Sequence, residues 1–227
     1  MRASFLLLTI LLCVNTGFAQ EKRDLSRDSS YNNWYYESRE KLYQGLKNTK
    51  TDIVFFGNSI TERGPWQELI AGKHRIGNRG IGGDNTFGMK ARVADVVKTK
   101  PSKIFLMMGI NDIGRGLPTA WSLKNYEEII LTIKKHSPKT KIYVQSTLPM
   151  NDELLKYDYL KGKAQLIKDL NAGIQKLATT YNLTYVELGN VLGENDILNK
   201  NYTSDGIHIN TDGYIRWVDY LKAKKYL

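Results

Sequence analysis

Apolar residues recur along this chain in two alternating rhythms. Short blocks rich in β-branched and aromatic residues stand at 52–56, 103–108, 141–146 and 184–187, with a weaker one at 75–78, and each reads as a strand. The block at 52–56 is apolar almost throughout and stops at Gly57, the pattern of a central parallel strand covered on both faces. Between the blocks, apolar positions fall three and four apart. This spacing predicts helices over 34–46, 65–71, 122–136 and 212–224, with helix beginning directly after Ser59 over 60–69. Phe87, Ala91, Ala94 and Val97 mark the face of another, and Ile167, Leu170, Ile174, Leu177, Ala178 and Tyr181 that of a longer one. Strands that alternate with helices require crossover connections, so the expected fold is α/β, a parallel sheet with helices on both sides in three layers.

The first residues break the rhythm. Arg2, the apolar run 5–14 and the small residues Gly17 and Ala19 read as an export signal cleaved after Ala19, followed by a polar flexible leader over 20–30. The run is too short to span a bilayer, which takes about 20 residues. Leu12 occupies the place where a small residue precedes a lipidated cysteine, so no lipid anchor at Cys13 is expected. Cys13 is the only cysteine, and cleavage would remove thiol and disulfide chemistry altogether. Residues 31–227 suit one domain with a full-sized core. The net charge of +10 comes from lysines spread along the chain without any nucleic-acid motif, and so reads as a solvated surface. The expectation is an exported protein, periplasmic or extracellular, with no nucleic-acid partner and no stable membrane insertion. Its oligomeric state stays open.

Candidate chemistry gathers in four loops. Three follow the first three strands, at the carboxyl rim where open α/β sheets bind ligands. Ser59 stands after the first strand, as a helix N-cap or as a nucleophile near a positive helix end. Gly80-Ile81-Gly82-Gly83 follows the second, a tight loop or a source of backbone N–H donors for an oxyanion. Asn111 follows the third and offers an amide donor. The fourth loop, Ser204-Asp205-Gly206-Ile207-His208, precedes the last helix, and its i, i+3 pair lets a carboxylate orient an imidazole. His136 lies at a helix end and His74 in a polar segment, both with structural readings. Asp84, Asp112 and Asp205 lack the spacing and histidine partners of a metal site, so neither metal nor cofactor is expected.

The segments GNSIT (57–61), GIGGDN (80–85), GIND (109–112) and DGIH (205–208), in this order, resemble the conserved blocks of the SGNH or GDSL hydrolases. The glycine loop is most similar to that of platelet-activating-factor acetylhydrolase catalytic subunits and bacterial carbohydrate (sialate) O-acetylesterases. The resemblance implies a flavodoxin-like fold with a five-stranded parallel sheet and ester hydrolysis without a metal. It assigns Ser59 as nucleophile, Asp205 and His208 as its partners, and the Ser59 N–H, Gly83 and Asn111 as the oxyanion hole. Asn58 departs from the usual aspartate of the first block and removes a charge beside the nucleophile. The expected substrates are short acyl esters, O-acetyl groups on carbohydrates including sialic acids; a lysophospholipase, thioesterase or lipid acetylhydrolase would use the same residues with a different acyl pocket. Arg63, Trp66, Arg79, Arg115 and Trp121, near the rim, are read as substrate contacts, since aromatic rings stack on sugars and guanidinium groups pair with carboxylates.

Overall fold

The computed structural model describes residues 28–46, 50–70 and 72–227. The expected signal at 1–19, and the leader up to residue 27, lie outside the described residues. Five parallel strands form one sheet: β1 (Ile53–Gly57), β2 (Ile76–Gly80), β3 (Lys103–Met107), β4 (Lys141–Gln145) and β5 (Thr184–Val186), in the order β2-β1-β3-β4-β5. The strand order reverses between β1 and β3. There the connections leave toward opposite faces and open a crevice at the carboxyl ends of the strands.

Side chains alternate across the sheet and set its two faces. Phe55, Phe105 and Tyr143 are in register on β1, β3 and β4 and stack in a row, with ring centroids 4.8 and 4.5 Å apart. Trp66, in the one-turn helix α3 (Trp66–Leu69), stacks on Phe55 at 3.9 Å, and Trp217 of the last helix meets it edge-on at 4.9 Å. On the other face lie α4 (Thr86–Val96), α6 (Thr119–His136) and α7 (Ala164–Thr180), which run side by side. Their Met89, Val93, Ile129, Ile130, Ile133, Leu170 and Ile174 are buried. Among the described residues no helix is long and apolar enough to cross a membrane.

The strands and long helices fall where the apolar rhythm put them, with three corrections. The helix expected over 60–69 is two separate turns, α2 (Ser59–Glu62) and α3, because Gly64-Pro65 interrupts it. The face of α4 is rotated from the expected one: Ala91 and Ala94 are exposed, while Met89, Arg92, Val93 and Val96 point inward. Asn111, read as a loop residue, sits in the first turn of the short helix α5 (Ile110–Gly114). Ahead of the sheet, α1 (Trp34–Gly45) is capped by Asn33, whose side chain accepts from the N–H groups of Tyr35 and Tyr36.

Candidate active site

The turn after β1 is built to lift Ser59 out of the sheet. Asn58, not Ser59, is the N-cap of α2, and its Oδ1 accepts the Ile60 N–H at 3.1 Å. This frees the Ser59 hydroxyl. Asn58 is only 1% exposed, a position where a carboxylate would need a counter-charge and an amide does not. That accounts physically for an asparagine beside Ser59. α2 also lies hard against the end of β2, where a Cβ on Gly80 would come within 2.2 Å of the Glu62 nitrogen. Gly80 is therefore what allows the serine turn and the glycine loop to meet.

His208 reaches Ser59 from far along the chain. The helix α8 (Thr211–Ala223) that follows it docks on α2 through the Tyr214 hydroxyl, which donates to the Ile60 carbonyl at 2.6 Å. His208 Nε2 then lies 2.9 Å from Ser59 Oγ, and its Nδ1 lies 2.7 Å from Asp205 Oδ2. Because Nδ1–H donates to the carboxylate, Nε2 is left to accept from the serine hydroxyl. Asp205 Oδ1 accepts the backbone N–H groups of Ile207 and His208, at 3.0 and 2.8 Å, which fixes the carboxylate plane. The segment after β4 clasps this loop, with the Asn151 N–H on the Gly206 carbonyl and the Lys156 N–H on that of Asp205. Tyr157 from the same segment stands edge-on to the His208 ring at 5.8 Å.

Burial pushes the His208 imidazole below its ordinary value; its hydrogen bond to the Asp205 carboxylate opposes this and the nearby Arg63 charge adds to it. Burial alone would raise Asp205, but its hydrogen bonds from the His208 side chain and from the backbone of His208 and Ile207 prevail and hold it low. At neutral pH the pair is thus a neutral imidazole and a carboxylate, the state in which histidine can accept a proton. Hydrolysis of an uncharged ester should accordingly rise with pH through one ionisation lying below about 6.5 and then level off. Arg63→Gln should move that inflection upward, since it removes a cation that disfavours the imidazolium. An inflection that stays put in the variant would show that Arg63 does not act on the histidine.

The expected oxyanion donors lie in the glycine loop after β2 and in the first turn of α5. Gly83 has φ +74°, a left-handed conformation that turns the glycine loop back on itself, and space is open where its side chain would be. The Asn111 side-chain amide donates one N–H to the Asp84 carbonyl at 2.7 Å, and the group has a second. Hence the loops after β1, β2 and β3 bring a hydroxyl, backbone N–H groups and an amide to one rim, with the Asp205–His208 pair closing it.

The sequence matches the model of the GDSL-like lipase/acylhydrolase family over residues 55–216. The chain belongs to that family. A protein from Streptococcus pneumonia, described as a platelet activating factor, is 31% identical, with a TM-score of 0.76 over 84% of this chain and 92% of its own. A GDSL-like lipase from Bacteroides thetaiotaomicron is 27% identical, with a TM-score of 0.71 over 85% and 98%. An N-acylneuraminate cytidylyltransferase from Escherichia coli O18:K1:H7 is 25% identical over 202 residues, 86% of this chain but 45% of that protein. The chain thus spans under half the length of that relative. Membership of the family makes the protein an ester hydrolase.

Two groups that hold this acylhydrolase's site together escaped the sequence reading. Arg92, 1% exposed, donates to the carbonyls of Gly57 and Arg79 and to Asp84 Oδ2, at 3.0, 2.8 and 2.9 Å, and lies over the Phe56 ring. One guanidinium so ties the ends of β1 and β2 to the glycine loop. An arginine in line with the apolar Met89, Val93 and Val96 was the available signal. Glu62 is the second, joined to Gly82 and to α1. It carried no signal, since all its partners are distant in sequence.

The aromatic and basic contacts read for this acylhydrolase divide. Trp66 is a core residue, 1% exposed, with its indole N–H on the Thr61 carbonyl. Arg79 is buried beneath the Tyr43 ring and faces a cavity with Glu40, Gln44 and Asp95. Neither is placed to meet a substrate, because Trp66 is enclosed by Phe55 and Trp217 and Arg79 packs against Tyr43 of α1. Arg115 donates to the Ser30 carbonyl and is 3.7 Å from Asp28, so the preceding segment occupies it. Trp121 lines a shallow groove with Phe87, Lys90 and Lys124. Arg63 alone of the three arginines is exposed and within electrostatic reach of His208.

Proposed function

We propose that this acylhydrolase uses Ser59, His208 and Asp205 as a catalytic triad to remove O-acetyl groups from carbohydrates, in particular from sugars that bear a carboxylate, and that it does so after export. The observation that carries the reading is the Ser59–His208–Asp205 alignment, with the exposed Arg63 beside it. In the reaction, His208 Nε2 takes the Ser59 proton as Oγ bonds to the acetyl carbonyl. The oxyanion is met by the N–H groups of Ser59 and Gly83 and by the Asn111 amide. His208 then returns the proton to the sugar oxygen as the ester C–O bond breaks, leaving an acetyl-serine. Water, deprotonated by the same nitrogen, hydrolyses it.

The sugar assignment is supported by what surrounds the triad. Arg63 offers a guanidinium for a carboxylate. Tyr159, 56% exposed, stands edge-on to Tyr157 at 5.9 Å, and Tyr157 stands in turn edge-on to His208, so aromatic surface adjoins the triad. Sugars lay their apolar faces on such rings. The Escherichia coli relative is named for N-acylneuraminate, an acylated sugar acid.

Rates on the 4-nitrophenyl esters of acetate, butyrate and octanoate, beside acetate release from O-acetylated N-acetylneuraminic acid and from an acetylated neutral sugar, give the test. Acetyl esters should be preferred, and the acidic sugar should lose its acetate. Arg63→Gln should raise KM for the acidic sugar by about 10-fold, the worth of one charged hydrogen bond, with little change for the 4-nitrophenyl ester. Preference for octanoate without action on either sugar would make the enzyme a lipid esterase instead.

A further inference from the structure

Glu62 sits at the centre of a junction that no part of the ester chemistry requires by itself. It closes α2, three residues after the nucleophile. Its Oε2 accepts the Gly82 N–H at 2.9 Å, from the residue next to Gly83. Its Oε1 accepts the Tyr35 hydroxyl at 2.7 Å and lies 3.0 Å from Arg39 Nε, and both of these partners belong to α1. The Glu62 side chain is 17% exposed and that of Arg39 28%. One carboxylate therefore joins the serine turn, the glycine loop and the helix ahead of the sheet.

We infer that Glu62 is a positioning residue for the oxyanion hole, and that α1, which lies ahead of the residues matched to the family, is a working part of the site. The physical argument has two steps. Ile81 and Asp84 anchor the two ends of the glycine loop, the first in the core and the second on Arg92, but Gly82 and Gly83 between them have no side chains, so the direction of the Gly83 N–H depends also on what grips its neighbour, and the grip on Gly82 is the Glu62 carboxylate. A carboxylate so close to a forming oxyanion would by itself oppose it, and the Arg39 guanidinium supplies the compensating charge. Tyr35 takes up a remaining lone pair and sets the rotamer. Oriented donors act on the transition state more than on bound substrate, so the effect of losing them belongs in kcat.

The inference rests on the triad reading but not on the sugar assignment, so 4-nitrophenyl acetate suffices as substrate. Glu62→Ala should lower kcat by about 10- to 100-fold with KM changed less than about 2-fold, a smaller loss than deleting a donor outright. Glu62→Gln keeps an acceptor for the Gly82 N–H and should restore most of the rate. A kcat for Glu62→Ala within about 3-fold of wild type, a loss carried by KM, or Gln and Ala variants equally impaired would each overturn the inference. If Glu62→Ala does not fold, Tyr35→Phe replaces it, with kcat expected to fall by about 3-fold at unchanged KM, and an unchanged kcat again overturning it. Failure of the triad reading would look different, for Ser59→Ala would then match wild type in the same assay.

Discussion

Ser59→Ala is expected to lower kcat by at least about 10,000-fold, while the thermal transition stays within about 2 °C of wild type. The size follows from the alignment. In the proposed mechanism the hydroxyl is the group that becomes covalently joined to the acyl carbon, and without it the imidazole, 2.9 Å away, would have only water to activate. Residual activity would come from the donors and from binding alone. The fold should tolerate the change because the side chain is half-buried, its one described hydrogen bond is to His208, and the turn is capped by Asn58. Turnover on acetyl esters, measured with melting curves on the same preparation, is the check. More than about one hundredth of the wild-type rate in the alanine variant would remove Ser59 from the mechanism.

Arg92→Met should have the largest effect on stability, about 3–5 kcal/mol, seen as a fall in Tm of roughly 10 °C. The variant fills a similar volume but removes three buried hydrogen bonds at once, to the carbonyls of Gly57 and Arg79 and to the Asp84 carboxylate, and leaves that carboxylate without its counter-charge. Both members of the ion pair have fully buried side chains, and burial already pushes the Asp84 carboxyl up to about 6 against the pull of Arg92. Without the guanidinium, Asp84 must protonate or draw in water, and either loosens the glycine loop. Activity should fall with stability for that reason. Adding Asp84→Asn to the variant should recover part of the loss, since it removes the unpaired buried charge, so a cycle of melting curves measures their coupling. A fall in Tm below about 2 °C for Arg92→Met would show that the bolt is dispensable.

Much of this site was legible because its pieces are local. Gly57-Asn58-Ser59 and Asp205-Gly206-Ile207-His208 each specify a turn by nearest-neighbour chemistry, and the Asp205–His208 hydrogen bond spans three residues. Strand blocks likewise show in a short window, because a strand buried on both faces must be apolar nearly throughout, as Ile53 to Phe56 are. The misreadings share one cause. Trp66 and Arg79 have the chemistry of sugar contacts, but Trp66 is consumed by stacking on Phe55 and Trp217, and Arg79 by packing under Tyr43. The face of α4 was misplaced because Arg92, polar by type, is a core residue by position.

By itself the sequence determined the alternation of strands and helices, the residues able to act as nucleophile, base and orienting acid, and the presence of a glycine loop. These follow from residue type and short spacing. Tertiary structure alone decided that Ser59 Oγ and His208 Nε2, 149 positions apart, lie 2.9 Å from one another. It alone decided that Arg92 bridges two strand ends, and that Glu62 links the glycine loop to α1. The reason is physical. A side chain's role depends on what remains unpaired around it once the backbone has folded, and the partners that settle this for Arg92 and Glu62 are brought together by the β2-β1-β3 strand order rather than by any local preference.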